Sequence, residues 1–351
     1  MSELDSVSAG LLRHSARALA GFAASTLFES RLELKNLNEP DAFRRWHNLL
    51  TQCVEELAAS FEANRPRWFL EHVEWMQSLL AARGVPPELV QAALSGLQSV
   101  LADRLPPGTA ETASFACEEA IRELTRNPTP STPRPTDGST DRLAKQYLLS
   151  LLEGDRTTAT RLVTAAVDDG ASVATVCREV LFPSLREVGQ MWHDGETNIA
   201  EEHFVTATTK AILSRLRDYL PGTEPRGKTL LAASVAGNRH DIGIHAIGEF
   251  FESDGWRVIV LGADVPIVDL VEAVAFYEVD LLALSASLRT QIAELKHTIE
   301  AVRQSERGSK VKILVGGYAF EGDPNLAVEL GADGYAVGPE DAVAVGNSLM
   351  S

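Results

Sequence analysis

The sequence has few cysteines, and none of them is placed for a disulfide or a metal site. Its 351 residues include three, Cys53, Cys117 and Cys177, which lie far apart and form no CxxC pair. They are typical of small apolar side chains in a reducing compartment. The chain also lacks a basic-then-apolar leader and any apolar run of ~18 residues. We therefore expect a cytoplasmic protein without a membrane span.

Positive charge is scarce along the whole chain. The sequence has 49 acidic and 32 basic residues, a formal net charge of −17. Residues 1–126 carry a net −5, residues 127–225 a net −4 and residues 226–351 a net −8. Nucleic-acid binding without sequence preference needs a basic face, and anionic membranes attract basic segments. The charge therefore argues against nucleic acid or a membrane as a direct partner.

A proline-rich stretch divides the chain. Residues 127–140 read NPTPSTPRPTDGST, with four prolines in eight residues and nothing apolar to bury. Such a segment predicts a stiff, extended linker. Before it, residues 1–126 show apolar residues at helical spacing, which predicts an all-α domain of five or six helices.

After the linker, the period of the apolar residues changes once. Residues 141–225 show four helical patterns, which predict a four-helix bundle: 143–152, 157–168, 173–188 and 200–219. Residues 226–351 alternate short apolar runs of strand length with helical patterns. The predicted strands are 229–235, 257–261, 280–285, 312–315 and 334–337. This alternation predicts an α/β domain with a parallel sheet, which binds ligands at the carboxyl ends of its strands.

Three of these predicted strands are followed by residues suited to a ligand. The first is followed by Asn238, Arg239, His240, Asp241, Ile242 and Gly243. Ser285, Ser287 and Leu288 follow the third, and Gly316 with Gly317 ends the fourth. Serines and glycines are ordinary loop residues, and a lone loop histidine is usually structural. On successive strand ends, however, they predict a deep, narrow groove with a histidine at its mouth.

These loops closely resemble the cobalamin-binding domain, whose motif is DxHxxG…SxL…GG. In that family the dimethylbenzimidazole tail of the cofactor fills the groove, and the histidine replaces it as lower ligand of cobalt. The resemblance covers about residues 226–351 and implies a flavodoxin-like, Rossmann-type sheet. It implies that His240 is the lower cobalt ligand, that Ser285 and Ser287 line the tail pocket, and that Gly316 and Gly317 let the tail pass.

Asn238 departs from this motif, because the family has aspartate there. An aspartate would accept the imidazole Nδ1–H and raise the basicity of the ring. The asparagine carbonyl still selects the tautomer, but without charge. We expect a weaker or more labile bond between cobalt and His240.

The predicted bundle carries a second pattern, a tryptophan followed after nine residues by Glu-His. Trp192, Glu202 and His203 resemble the Wx9EH signature of light-sensing adenosylcobalamin proteins. In those proteins the bundle covers the upper face of the cofactor, so the resemblance assigns these three residues to the adenosyl pocket. It also nominates His193, since in DNA-binding members the histidine after the tryptophan binds cobalt once light has removed the adenosyl group. Taken alone, Trp192 would be interpreted as a core tryptophan at a helix end, and the residues that follow it as a solvated acidic turn.

The N-terminal domain does not read as the basic helix-turn-helix head of those DNA-binding members. An acidic helical domain before the photoreceptor module looks like the photocobilin subfamily, in which a globin-like domain binds biliverdin. The candidate bilin contacts are Arg65, Arg67, Trp68, His72 and Trp75. Rings, imidazoles and guanidinium groups suit a bilin, although core tryptophans with surface arginines would give the same composition. The alternative is that this domain is a sensor or dimerisation bundle that binds no chromophore.

Taken together, these features predict a photoreceptor and not an enzyme. Adenosylcobalamin would lie between a helical cap and the sheet, biliverdin would be a second chromophore, and light would change the oligomeric state. The partner would be another copy of the chain or a downstream signalling protein. The alternative is a corrinoid methyl carrier of a methyltransferase system.

Overall fold

A computed structural model describes residues 3–31, 41–126 and 141–351. The expected linker at 127–140 lies outside the described residues. The described chain forms two compact units. One comprises the residues up to 126 together with His193–Gly195, and the other comprises residues 141–192 and 196–351.

The first unit is helical, which confirms the prediction for this region. Its described helices are α1 (Glu3–Ser30), α2 (Ala42–Glu62), α3 (Arg67–Ala81), α4 (Pro87–Arg104) and α5 (Pro107–Arg126). Pro87 and Pro107 begin their helices, where a missing N–H costs nothing. Cys53 and Cys117 are fully buried in the core, which explains their free, apolar character.

The second unit begins with helices that pack around Tyr147, whose hydroxyl lies 2.8 Å from that of Thr209. They are α6 (Asp141–Leu152), α7 (Arg156–Asp168), α8 (Val173–Val176), α9 (Phe182–His193) and α10 (Ile199–Leu216). A π-helical turn, Cys177–Leu181, joins α8 to α9. Asn198 begins α10 with a capping box, in which Glu201 bonds back to the Asn198 N–H.

The remainder of this unit is a five-stranded parallel sheet in the order β2-β1-β3-β4-β5, so the predicted α/β domain is confirmed. The strands are β1 (Thr229–Val235), β2 (Arg257–Val265), β3 (Leu281–Ser285), β4 (Lys312–Gly316) and β5 (Gly334–Ala336). All residues of β1 and β3 are buried, as expected of central strands covered on both faces. β2 is longer than predicted because its pairing with β1 continues, through two irregularities, to Val235 and Val265.

Five helices accompany the sheet. They are α11 (Ile242–Ser253), α12 (Ile267–Phe276), α13 (Ile292–Gln304), α14 (Asn325–Glu329) and α15 (Pro339–Leu349). α11 packs on α15, and α12 packs on α13. In this strand order the chain reverses direction across the sheet between β1 and β3, where such folds bind ligands. Within the described ranges, no helix is both long and apolar enough to cross a membrane.

Candidate functional site

A cavity of about 980 Å³ lies at the carboxyl ends of the strands, within the second unit. This volume is near the upper end for small-molecule sites, which indicates a large ligand. The cavity extends down to strand residues, including Ala283 on β3, Leu314 on β4 and Ala336 on β5. The strand ends at which the sequence predicts a groove therefore border this cavity, and apolar strand residues form part of its wall.

The loops after the strands line the lower part of this cavity with most of the residues singled out in the sequence. These are Arg239, His240, Asp241, Ile242, Gly243, Ser285, Ser287, Gly316 and Gly317. Asn238 lies behind them and is fully buried. Leu288 is 49% exposed and is not among the residues that line the cavity.

Two helices of the bundle line the upper part. From α10 come Glu202, His203 and Thr206, of which the first two belong to the Trp-Glu-His pattern. From α9 come Phe182, Leu185, Arg186 and Gly189. Sequence reasoning missed the α9 residues, although their spacing of three and four places them on one helical face. A Cβ at Gly189 would meet open space, so this glycine leaves room in the cavity.

The His240 imidazole is oriented by Asn238. The Asn238 Oδ1 lies 3.3 Å from His240 Nδ1 and accepts the His240 backbone N–H at 3.1 Å. The Asn238 amide nitrogen donates to the Ser285 carbonyl at 3.0 Å, so its oxygen must face the ring. Nδ1 therefore carries the proton, and Nε2 keeps its lone pair. Nε2 has no hydrogen-bond partner among the described residues and is free to bind a metal.

The loop that carries His240 is held at both ends. The Ser234 hydroxyl donates to the His240 carbonyl at 3.0 Å. The Gly237 N–H donates to Asp264 at 2.7 Å, and Gly237 has a positive φ of 78°, which suits glycine. The Gln291 amide donates to the Gly237 carbonyl at 3.1 Å. None of these supporting residues was singled out in the sequence.

Asp241, next to His240, forms an ionic cluster with α10. Lys210 Nζ lies 2.6 Å and His245 Nε2 3.3 Å from Asp241 Oδ2. Burial would raise the pKa of Asp241, but the hydrogen bond and charge of Lys210 outweigh it and lower that pKa. Burial, with Lys210, also lowers the pKa of His245. Lys210 thereby connects the bundle to the loop of His240.

In the upper part, one carboxylate joins two neighbours. Glu202 Oε2 lies 2.6 Å from His203 Nδ1, and Glu202 Oε1 accepts the Thr206 hydroxyl at 2.7 Å. Both oxygens of Glu202 are thus bonded, and the ring of His203 has a defined tautomer. The arrangement presents an imidazole and a carboxylate to whatever fills the upper cavity.

Gly316 and Gly317 have a packing role besides their place on the cavity. A Cβ at 316 would lie 2.8 Å from the Ala336 carbonyl oxygen. A Cβ at 317 would overlap the Ala286 carbonyl oxygen, and Gly317 has a φ of 108°. The expectation that these glycines let a cofactor tail pass stays a prediction, since their backbone contacts alone require glycine.

His193 is not among the residues that line this cavity, and it groups with the first unit. There its Nε2 lies 3.1 Å from the Ser78 hydroxyl, its ring is 5.1 Å from that of Trp75, and its carbonyl accepts from Arg83 at 2.6 Å. Its Nδ1 is buried without a partner. Burial lowers the pKa of His193, so the ring favours its neutral form. Trp192 is half-buried and is also not among the residues that line the cavity.

The candidate bilin residues differ in burial. Trp68 is 6% exposed, whereas Trp75 is 41% exposed and stacks on His72 at 5.8 Å. His72 is buried with its Nε2 unpartnered, and this burial lowers its pKa to about 4. Arg65 donates to the Ala63 carbonyl, and Arg67 is exposed. The structure brings His72, Trp75 and His193 together and leaves the two imidazoles with one free nitrogen each.

The lower cavity fits the corrinoid implied by the sequence. A histidine nitrogen without a protein partner stands on the cavity, and an apolar slot descends between the strand ends. A neutral imidazole is a suitable ligand for cobalt.

Comparison with known proteins supports this assignment. Residues 228–345 and residues 143–217 each match a B12 binding domain family. The HTH-type transcriptional repressor CarA of Myxococcus xanthus is 30% identical over 243 residues, which are 68% of this chain and 77% of that protein. A corrinoid protein of Desulfitobacterium hafniense (strain Y51) is 28% identical over 209 residues, 57% of this chain and 94% of that protein.

The solved monomethylamine corrinoid protein of Methanosarcina barkeri shares the fold. It has a TM-score of 0.54 at 19% identity and covers 60% of this chain and 100% of its own. The two matched regions together contain every residue that lines the cavity. The chain therefore belongs to the B12-binding family and is a corrinoid-binding protein.

Proposed function

We propose that this protein is a light sensor that holds adenosylcobalamin between α9, α10 and the sheet. The observation that carries the proposal is the position of Glu202 and His203. They line the upper part of the same cavity whose lower part carries His240. A cofactor bound through His240 would thus share this cavity with the Glu-His pair.

The residues below the cofactor would hold it and set its orientation. His240 Nε2 would bind cobalt, with Asn238 fixing the ring through Nδ1. Ser285 and Ser287 would line the space for the nucleotide tail, beside Gly316 and Gly317. These roles follow from the resemblance and are supported by the free Nε2 and by the slot between the strand ends.

The residues above the cofactor would recognise its upper group. Adenosylcobalamin, when bound, supplies a cobalt–carbon bond that light breaks. Glu202 and His203 would contact the adenosyl group, and Thr206 would keep the carboxylate in place. Trp192, which does not line the cavity in this structure, would have to move to pack against the same group. Loss of the adenosyl group would then rearrange the cap and change the oligomeric state. For His193 to bind cobalt afterwards, it would have to leave Ser78 and Trp75.

Biliverdin is proposed as a second chromophore in the first unit. The supporting observations are the buried, unpartnered Nε2 of His72 and the half-exposed ring of Trp75 stacked on it. A pyrrole N–H or a bound water would satisfy that nitrogen. The output would pass to another copy of the chain or to a signalling protein in the cytoplasm, without direct contact to nucleic acid.

A corrinoid methyl carrier is the second candidate. Its support is the similarity to corrinoid proteins, including several dimethylamine corrinoid proteins of Methanosarcina. Under either proposal the protein is not itself the enzyme. A carrier would need room for a methyl group only, so the Glu-His pair would have no ligand group to recognise.

The two candidates differ in what the upper residues bind. We expect Glu202→Ala and His203→Ala to weaken adenosylcobalamin binding about 10-fold or more and to leave hydroxocobalamin binding unchanged, as measured by spectral titration in the dark. Glu187→Ala is a matched control, since Glu187 is exposed on α9 and does not line the cavity. Equal losses for both cofactors, or none, would contradict adenosyl recognition. Two results together would favour the carrier: the bound cofactor accepts a methyl group, and green light leaves the absorption spectrum of the loaded protein unchanged.

Biliverdin binding is tested by colour. The full chain expressed with a source of biliverdin is expected to show a far-red absorption band, and His72→Phe is expected to weaken or shift it. Cys53 and Cys117 are buried, so we expect the pigment to be released by denaturation. A chain without the band would leave the first unit as an interaction domain.

A further inference from the structure

A buried glutamine joins two of the loops that meet at the cavity. Gln291 is 6% exposed and lies between β3 and α13. Its Oε1 accepts the backbone N–H of Ser287 at 2.9 Å and that of Leu288 at 3.0 Å. Its Nε2 donates to the Gly237 carbonyl at 3.1 Å. One side chain therefore connects the loop after β3 to the loop after β1.

The chemistry of its partners sets the orientation of this amide. Backbone N–H groups can only donate, so Ser287 and Leu288 require the oxygen of Gln291. The Gly237 carbonyl can only accept, so it requires the nitrogen. A glutamate at this position would keep the acceptor and lose the donor, whereas a leucine would lose both.

The connection ends close to His240. The Gly237 N–H donates to Asp264 and the Gly237 carbonyl accepts from Gln291, so both backbone polar groups of this residue are hydrogen-bonded. The next residue, Asn238, has no exposed surface and orients the His240 ring through its Oδ1. A shift of Gly237 would therefore move the group that selects the tautomer of His240.

We propose that Gln291 is a positioning residue for the cobalt ligand, which acts through Gly237 and Asn238 on His240. The inference rests on the proposed role of His240 as lower ligand. The two bonds accepted by Oε1 also close the turn Arg289–Gln291 and would serve the fold alone. The bond from Nε2 to Gly237 adds nothing to that turn, so it separates a positioning role from a structural one.

Gln291→Glu is nearly the same size and keeps the acceptor for Ser287 and Leu288, but it replaces the donor to Gly237 with a charged oxygen that repels the Gly237 carbonyl. In the protein without cofactor, we expect faster hydrogen exchange at the His240 amide and unchanged protection at Ser287 and Leu288. With hydroxocobalamin in the dark, we expect affinity to fall by less than the roughly 10- to 100-fold seen when a direct hydrogen-bond partner of a metal-binding histidine is lost, because Gln291 acts through Gly237 and Asn238. After reduction to Co(II), the electron paramagnetic resonance splitting from the axial histidine nitrogen is expected to weaken or vanish.

Labelling histidine with nitrogen-15 identifies that axial nitrogen as histidine, because the labelled nucleus changes the splitting pattern. Gln304→Glu is the matched control, since it makes the same chemical change at an exposed position of α13. Gln291→Leu serves as a second variant, which should also release the Ser287 and Leu288 amides.

Gln291→Glu behaving like Gln304→Glu, with wild-type affinity and full histidine splitting, would overturn the positioning role. If the electron paramagnetic resonance splitting of the wild-type protein is the same with and without labelled histidine, the axial nitrogen does not come from histidine. That result would overturn the role of His240, and the inference with it. The test uses no light and no adenosyl group, so its result is independent of whether the protein is a light sensor.

Discussion

The asparagine that replaces the aspartate of the motif is bonded on both sides. The Asn238 oxygen faces His240, and its nitrogen donates to the Ser285 carbonyl at 3.0 Å. Asn238→Asp would put a carboxylate oxygen against that carbonyl, because only the amide can donate. We expect the protein without cofactor to lose about 1–3 kcal/mol of its free energy of unfolding, measured in urea.

The same variant is expected to bind hydroxocobalamin more strongly through His240, since a charged acceptor raises the basicity of the ring. Asn325→Asp provides the control at an exposed position. Unchanged affinity and an unchanged spectrum would show that Asn238 does not weaken the bond to cobalt. Unchanged stability would show that the bond to Ser285 contributes little.

The buried His72 predicts a pH dependence of stability in the first unit. Burial lowers its pKa from 6.5 to about 4, although the Glu56 carboxylate lies 4.0 Å from its Nδ1. Between these values the unfolded chain binds the proton and the folded chain does not, so stability falls as the pH falls from 6.5 towards 4. The loss amounts to about 3 kcal/mol.

His72→Phe is expected to flatten this dependence, measured by hydrogen exchange of the α3 amides after correction for intrinsic rates. His14→Phe changes an exposed histidine of the same unit and should leave the slope as it is. Equal slopes in all three proteins would contradict the assignment to His72.

At the scale of elements, the packing of β3 against β4 depends on Gly317. A side chain there would meet the Ala286 carbonyl and would also need a φ of 108°. We expect Gly317→Ala to cost more than about 3 kcal/mol of unfolding free energy and to lower cobalamin affinity. Gly170→Ala is the control, since Gly170 has a φ of 102° with open space around it and does not line the cavity, so it reports backbone strain alone. Similar losses for both variants would mean that the overlap with Ala286 is relieved at no cost.

The elements of the sheet could be predicted from the sequence because buried parallel strands are continuous apolar runs. The loop residues could be predicted because the carboxyl ends of such strands meet at one edge. Gln291 and Lys210 could not, since Gly237 and Asp241 lie far from them in the sequence and only the folded chain brings each pair together. Thr206 bonds Glu202 one helical turn away, so its spacing could have indicated this contact. Phe182, Leu185 and Gly189 lie on one face of α9 by their spacing, but nothing in the sequence indicates that this face is turned to a cavity.

The whole chain is negatively charged, and this charge bears on what its output can be. The net charge of −17 and the acidic first unit argue against the nucleic-acid output suggested by similarity to a transcriptional repressor. His193 belongs to the first unit by its contacts, while its neighbour Trp192 belongs to the second. The output proposed above is a change in the assembly of the protein.

Size-exclusion chromatography with light scattering shows whether light changes the assembly of the protein. The full chain would be loaded with adenosylcobalamin in the dark and measured before and after green light, with hydroxocobalamin-loaded protein as the control. We expect light to change the spectrum and to shift the mass by a whole number of protomers, while the control keeps one mass throughout. An identical mass and spectrum before and after illumination would contradict this expectation.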